Sequence, residues 1–459
     1  MRRNRAIFRF IFDNCVRQGL LITMLDVFLF WTSVISLIWL MGTTPVLLRN
    51  RFELTRLPGQ VMQKPGLMPG QLPGRKSEQN HAESQAGNHG KTQRGTHEET
   101  SHEDTGIPSW NISVCIPVRN EEKVIEALLE SLRHQTVTPL EVLVLDDQSN
   151  DRTPELLRKQ KILFDQQEKP LTILEGQPKP ADWLGKPWAC HQLSQQARGD
   201  LLLFLDADTI AEPTFLKRID TAFQQHQLDM LTIWPHQTLG TFWEKTVIPL
   251  MYYALVTLLP SIYVYRSPRW MPMPFRRTFR TAFAAACGQC IAFRRDAYQT
   301  IGGHEAVKQN VVEDVELARH ALQHHCRVRM FEGVTSLRCR MYTSEQEMYQ
   351  GFRKNFLAGF GNHLPLFLSA ALIHILVFLM PFLIVPYAMF THQPLLLLLS
   401  AGAVGLLLAH RLLLASWFQW NPAYGLLHPL GVLWFQRLGF TKVLDRLLRR
   451  EHHWKGRSI

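Results

Sequence analysis

Three runs of apolar residues, too long for ordinary core helices, set the terms on which this chain can fold. From Leu20 to Leu48 the only charge is Asp26, Leu364 to Phe390 carries none, and Pro394 to Phe418 adds only Arg411 beside His410. About 20 apolar residues cross the roughly 30 Å hydrocarbon core of a bilayer. Tyr424 to Phe440 is a shorter candidate that contains Trp and Pro. The sequence therefore reads as an integral membrane protein with three or four spans gathered at the two ends of 459 residues. The first run is too long for a signal peptide and lacks a small-x-small cleavage site.

A formal charge of +11 is of the size carried by nucleic-acid binders. Here, however, the basic residues sit beside the apolar runs, as in Arg2-Arg3-Asn4-Arg5, Arg49-Asn50-Arg51 and Arg446 to Arg450. That placement suits anionic headgroups and cytoplasmic flanks, so no nucleic-acid partner is expected. Seven cysteines scattered over the chain argue against a disulfide framework and for a reducing compartment. Cys287-Gly-Gln-Cys290 has the spacing of half a metal or redox site, but with no second Cys-x-x-Cys it reads as ordinary buried thiols.

Residues 57–108 are rich in Gly, Pro, His, Gln and Glu, with almost no large apolar side chain after Leu72. Such a segment cannot offset its ordering entropy and is predicted to be a disordered linker. Beyond it, Ile112, Val114, Ile116 and Val118 alternate as a first strand. Arg119 to Glu122 then opens a helix with Asn120 at its cap. A second strand, Leu140 to Leu145, stops at Asp146-Asp147, after which Thr153-Pro154 caps and starts another helix. A third strand at Leu171 to Leu174 and a helix from about Pro187 to Ala197 continue the alternation, which implies a mostly parallel sheet with helices on both faces.

The next strand, Leu201 to Leu205, is five apolar residues ending in Asp206-Ala207-Asp208. Ligands of open α/β sheets gather at the carboxyl ends of strands, and residues i and i+2 point the same way, so both carboxylates can converge on one hard cation. One acidic pair reads equally as a solvated cap. Two pairs at neighbouring strand ends, Asp146-Asp147 and Asp206-x-Asp208, suit a nucleotide and its metal. No Gly-x-Gly-x-x-Gly follows the first strand, which removes support for a dinucleotide enzyme.

Taken together, Ile116-Pro-Val-Arg-Asn-Glu-Glu122, Val144-Leu-Asp-Asp-Gln-Ser149, Trp183-Leu-Gly-Lys-Pro-Trp-Ala189 and Phe204-Leu-Asp-Ala-Asp208 resemble the successive blocks of a family 2 glycosyltransferase with the GT-A fold. Further matching blocks are Gly288 to Arg294, Ile301-Gly-Gly-His304 and Val312 to Ala318. The Leu-Gly-Lys-Pro-Trp-Ala block and the terminal Trp454-Lys-Gly-Arg457 resemble the membrane-bound branch associated with carotenoid and hopanoid biosynthesis. The resemblance implies that Pro117, Glu121 and Asp147 lie against the nucleotide and Lys186 approaches the diphosphate. It implies Asp208 as the metal ligand, with Asp206 supporting it, and Mg²⁺ or Mn²⁺ as the ion. Asp314, next to Glu313, would be the general base.

Read from the residues alone, Val315, Leu317, Ala318, Ala321 and Leu322 make a helical face that puts Glu313 and Asp314 in a first turn. There they serve either as caps favoured by the dipole or as a base raised by burial. His304 reads as a satisfied structural residue or as a lining of the acceptor side. The Gln-x-x-Arg-Trp block of processive synthases is absent. Gly351 to Asn355 stands in its place, so Arg353 and Lys354 meet either the diphosphate or headgroups. The aromatic stretch 247–265 suits a membrane-interface helix or an extra span.

The reading is thus an α/β GT-A catalytic domain over 109–360. It is preceded by a basic segment and span (1–56) and a linker (57–108), and followed by spans over 361–445 and a basic tail (446–459). It predicts an inverting transferase on the cytoplasmic face of the cell membrane. The donor would be a nucleotide-diphosphate sugar, UDP-linked by preference, and the acceptor a membrane lipid of isoprenoid type. A polyprenyl-phosphate sugar synthase is the alternative within enzymes, and a non-catalytic membrane scaffold the alternative outside them.

Overall fold

The computed structural model describes residues 24–59, 110–266, 271–356 and 363–448, with two short strands at 453–454 and 457–458. Most of the 57–108 segment, and the basic clusters at 2–5 and 449–450, lie outside the described residues. Leu57, expected to begin the linker, is 2% exposed and belongs to the core; just before it, Glu332 N–H donates to the Thr55 carbonyl.

The chain enters through α1 (Met24–Glu53), then alternates β1 (Ile112–Val118), α2 (Ile125–Arg133), β2 (Glu141–Asp146), α3 (Thr153–Asp165), β3 (Leu171–Glu175), α4 (Gly185–Gln196) and β4 (Leu201–Leu205). After these come β5 (Thr209–Ala211), α5 (Phe215–His226), β6 (Met230–Gln237), α6 (Phe242–Leu258), α7 (Ile262–Tyr265), α8 (Met273–Ala282), β7 (Cys290–Arg294), α9 (Arg295–Thr300), α10 (Glu313–Gln323) and β8 (Val328–Cys339). The sheet order is β3-β2-β1-β4-β7-β6-β8-β5. β3, β2, β1 and β4 run parallel, as do β6 and β8, whereas β7 is antiparallel to both its neighbours. The sheet is mostly parallel with helices on both faces, as the alternation predicts, and the antiparallel pairings of β7 and of β5 with β8 make it mixed. It has one core cluster around α2, α3 and α5 and another around α4, α6 and α10 on the opposite face.

Two helix starts differ from expectation. Asn120 is not a cap but adopts a left-handed conformation (φ 54°), and α2 begins five residues later at Ile125. The cause is a clasp between the loops after β1 and β2. Asn120 N–H donates to Ser149 Oγ (2.9 Å), Asn150 N–H to Asn120 Oδ1 (2.9 Å), and Glu121 N–H to Thr153 Oγ1 (2.8 Å). The Thr153 hydroxyl is thereby spent on Glu121, and α3 starts without a side-chain cap.

After β8 come α11 (Glu345–Asn355), α12 (Leu364–Phe378), α13 (Met380–Phe390), α14 (Pro394–Trp417) and α15 (His428–Leu447), with short antiparallel strands β9 (His453–Trp454) and β10 (Arg457–Ser458). Among the described residues, three helical stretches are long and apolar enough to cross a membrane: Met24–Glu53, Leu364–Phe390 and Pro394–Trp417. They display large apolar side chains outward, among them Trp31, Ile38, Leu372 and Leu398, as a lipid-facing surface requires. The 247–265 stretch is mostly packed inward, although Leu258 is exposed. It divides into α6, held by a Thr241/Glu244 capping box, and α7, with Val247, Ile248, Tyr252, Tyr253 and Val256 enclosed.

Candidate active site

β1, β2 and β4 end side by side, so the loops that follow them meet at one rim. Val118 is in register with Asp146, and Cys115 with Phe204. Asp146 is spent locally, since its Oδ1 accepts the Ser149 N–H (3.0 Å) and tightens the turn. Asp147, 4% exposed, instead lines a cavity of about 1400 Å³ together with Pro117, Glu121, Lys186, Asp206 and Asp208. Glu313 and Asp314, from the first turn of α10, line the same cavity.

Lys186 is the hub. Its place in the first turn of α4 aims Nζ across the sheet, 2.7 Å from Asp206 Oδ1 and 3.3 Å from Glu313 Oε1, and it donates to the Gly288 carbonyl (3.2 Å). Burial alone would lower its pKa, but Asp206 and Glu313 outweigh that and hold it well above the ordinary lysine value. Gly288 carries the chain between the charges. Its N–H donates to Asp314 Oδ2 (2.8 Å), and a Cβ there would lie 3.1 Å from Lys186 Nζ and 3.3 Å from Asp314 Oδ2.

Asp314 is not a simple helix cap. Oδ1 accepts the N–H of its own neighbour Val315 (2.9 Å), while Oδ2 reaches across to Gly288. Burial first, then the charge of Glu313, push its pKa up to about 6, against the opposing pull of Lys186. Asp208 is pushed up to about 7, again by burial first and then by Asp206 and Glu121. Its Oδ1 is buried with no hydrogen-bond partner. An orphaned carboxylate oxygen among like charges is a fitting ligand for a hard cation. Among the described residues no group of three or more His, Cys, Asp or Glu side chains is arranged to hold a metal alone, so a cation at Asp208 would need oxygens from its ligand as well.

Arg353 does not join the cavity lining. Its Nε and Nη2 both donate to Oδ2 of buried Asp445 (2.8 and 2.6 Å), which ties α11 to α15 rather than reaching diphosphate or headgroups. His304 resolves as structural: its Nδ1 pairs with the Tyr298 hydroxyl (2.7 Å), Phe204 packs on the ring, and burial pushes it down to about 3. Burial likewise raises the Cys287 thiol, to about 12, and the Cys290 thiol.

Among the lining residues not singled out from the sequence are Arg340 and Tyr342, just after β8. Arg340 N–H donates to the Asp208 carbonyl (3.3 Å), and its guanidinium reaches the fully buried Glu244 of the α6 capping box (3.3 Å). No local pattern marks them, because what places them is the pairing of β8 with β5 and β6.

Residues 113–302 match the model of Glycosyl transferase family 2. The chain carries a family 2 glycosyltransferase domain. That domain includes the strand ends and Lys186; Glu313 and Asp314 lie just beyond the matched segment. A 4,4'-diaponeurosporenoate glycosyltransferase of Staphylococcus aureus strain USA300 is 26% identical over 266 residues, 56% of this chain and 64% of that protein. The chain thus spans just under two thirds of the length of this curated relative. Among solved structures, a mannosyltransferase from Pyrobaculum calidifontis in complex with GDP-Man and Mn²⁺ is 16% identical, covering 74% of this chain and 88% of that one at a TM-score of 0.42. S. aureus TarS is 20% identical, covering 54% of this chain and 40% of that one at a TM-score of 0.34.

The cavity of the glycosyltransferase domain has a second limb. Beyond Tyr342 and Phe352 it is walled by α6, α12 and α15 through Leu255, Phe367, Phe378 and Phe435, and it reaches Trp39 of α1. One cavity is therefore lined by charged residues at the strand ends and by apolar residues of α1, α6, α12 and α15, of which α1 and α12 belong to the stretches apolar enough to span a membrane.

Proposed function

We propose that this chain transfers a sugar, with inversion, from a nucleotide-diphosphate donor to a hydroxyl or carboxyl group on a membrane lipid. The observation that carries the reading is the continuity of the two limbs. A volume of about 1400 Å³ exceeds the usual 300–1,000 Å³ of a single-ligand site and has room for two substrates end to end. Donor and acceptor chemistry would then meet at Asp314, whose side chain stands beside the polar limb.

In this scheme the nucleotide lies against Pro117, Glu121 and Asp147, and Lys186 and Arg340 face the negative charge that grows on the departing diphosphate. Asp208, supported by Asp206, would hold a divalent cation, Mg²⁺ or Mn²⁺, which when bound neutralises diphosphate charge. Asp314 takes the proton from the acceptor hydroxyl as that oxygen attacks the anomeric carbon. Two N–H donors fix the orientation of its carboxylate, and its raised pKa makes it a better base than an ordinary aspartate. UDP-sugars are the proposed donors, with the domain on the cytoplasmic side where they are made. The activity of the S. aureus relative supports an isoprenoid-type acceptor.

Membranes containing the chain, incubated with a panel of labelled nucleotide sugars, should yield labelled lipid on organic extraction, and Asp314→Asn membranes should not. Label confined to water-soluble products would overturn the lipid-acceptor reading.

A further inference from the structure

The apolar limb does not end in hydrocarbon. Trp39, Tyr253, His374, Phe378 and His428 form part of its wall. Most polar groups at this level are paired off: the Tyr253 hydroxyl with His410 Nδ1 (3.0 Å), His410 Nε2 with Thr44 Oγ1 (2.8 Å), and His374 Nδ1 with Gln436 Nε2 (3.1 Å). His428 and Trp39 are not. His428 is 1% exposed, neither ring nitrogen has a hydrogen-bond partner, and the Trp39 Nε1–H is likewise buried and unpaired. The His428 ring is packed by Tyr253 at 6.0 Å and Phe378 at 5.7 Å. Behind the wall, Arg411 of α14 is 4% exposed with Nε and Nη1 unpaired, so the local potential favours an electron-rich partner.

Buried polar groups are ordinarily satisfied, and two orphaned ones in the lining of one cavity call for a ligand atom. Trp Nε1–H can only donate, so that atom is an acceptor, an oxygen. α15 lines the cavity from Phe435, whose ring packs against Phe352 of α11 (5.7 Å), to His428, a run of roughly 10 Å at the helical rise away from the Phe352 side. We propose that His428 and Trp39 form a second recognition point for the acceptor. The acceptor is then a lipid bearing an oxygen function (hydroxyl, carbonyl or carboxylate) at the end of its chain remote from the glycosylated group. The inference rests on the lipid-acceptor reading above and adds that the lipid is polar at both ends.

The test is binding to the full chain in detergent micelles without any donor, measured as displacement of a fluorescent fatty alcohol. The competitors are a homologous series of linear α,ω-diols and the 1-alkanols of the same lengths. At one chain length the diol should bind about 10-fold more tightly than its alkanol, the size of effect expected when an unpaired buried donor gains a partner. His428→Phe, and separately Trp39→Phe, should collapse that preference toward unity, the second variant serving if the first does not fold. Equal affinity of diols and alkanols for the wild type at every length would overturn the proposal and leave water as the occupant. So would a preference untouched by either variant. A diol preference without sugar transfer to any lipid would instead keep the site and remove the transferase reading.

Discussion

The two limbs of the cavity are built in opposite ways. In the charged limb, strand ends meet the first turns of α4 and α10, and family blocks in the sequence mark most of the residues that touch. In the membrane limb the contacts join residues hundreds of positions apart. Asn50 of α1 donates to the carbonyls of Val256 and Leu259 (2.8 and 2.7 Å) and accepts from Ser261, and Thr44 meets His410. The first limb is a site that many sequences can carry on one sheet. The second is specific to how these helices pack, and the contrast suggests that chemistry resides in one limb and acceptor choice in the other.

The largest effect that would sharpen this division is at Asp314. Asp314→Asn keeps shape but not basicity, so turnover should fall by about 10² to 10⁴ while donor affinity, measured by nucleotide titration, stays within a few-fold. Turnover near wild type would remove Asp314 and move the role to Glu313. Next comes Asp208→Ala, with an expected loss of about 10² in rate and a requirement for added Mg²⁺ or Mn²⁺ in wild-type protein that a chelator abolishes. Undiminished transfer in chelator would end the cation proposal. Gly288→Ala is smaller, about 10-fold in kcat, because the added methyl crowds Lys186 Nζ and Asp314 Oδ2 and shifts them by tenths of an ångström.

Smaller still is the pH response. A base must be deprotonated, so kcat/KM should rise with pH through about 6 and level off above it. Glu313→Gln removes a charge that raises Asp314 and should move that midpoint downward; a midpoint that stays put or rises would contradict the assigned coupling. The smallest activity effect belongs to Arg353. Arg353→Met removes both guanidinium donors from the buried carboxylate of Asp445 and should lower thermal stability by about 2 kcal/mol, yet leave the donor KM unchanged. A raised donor KM would put Arg353 back in the charged limb and blur the division.

What the sequence determined by itself was local. Runs of 20 or more apolar residues specify helices for a bilayer, because only an internally hydrogen-bonded segment survives there. Apolar pentads ending in carboxylates specify strands whose ends form a polar rim, and Lys186, Asp208 and Asp314 follow from their blocks. Tertiary structure decided the rest. It turned Asn120 from a cap into a left-handed clasp residue, because Ser149 and Asn150 offered better partners than a helix end. It drew Arg353 to Asp445, since a buried carboxylate competes better for a guanidinium than solvent does. It also left the rings of His428 and Trp39 unpaired in the lining of one cavity. No local spacing encodes such pairings, because each depends on which distant helix or loop arrives opposite.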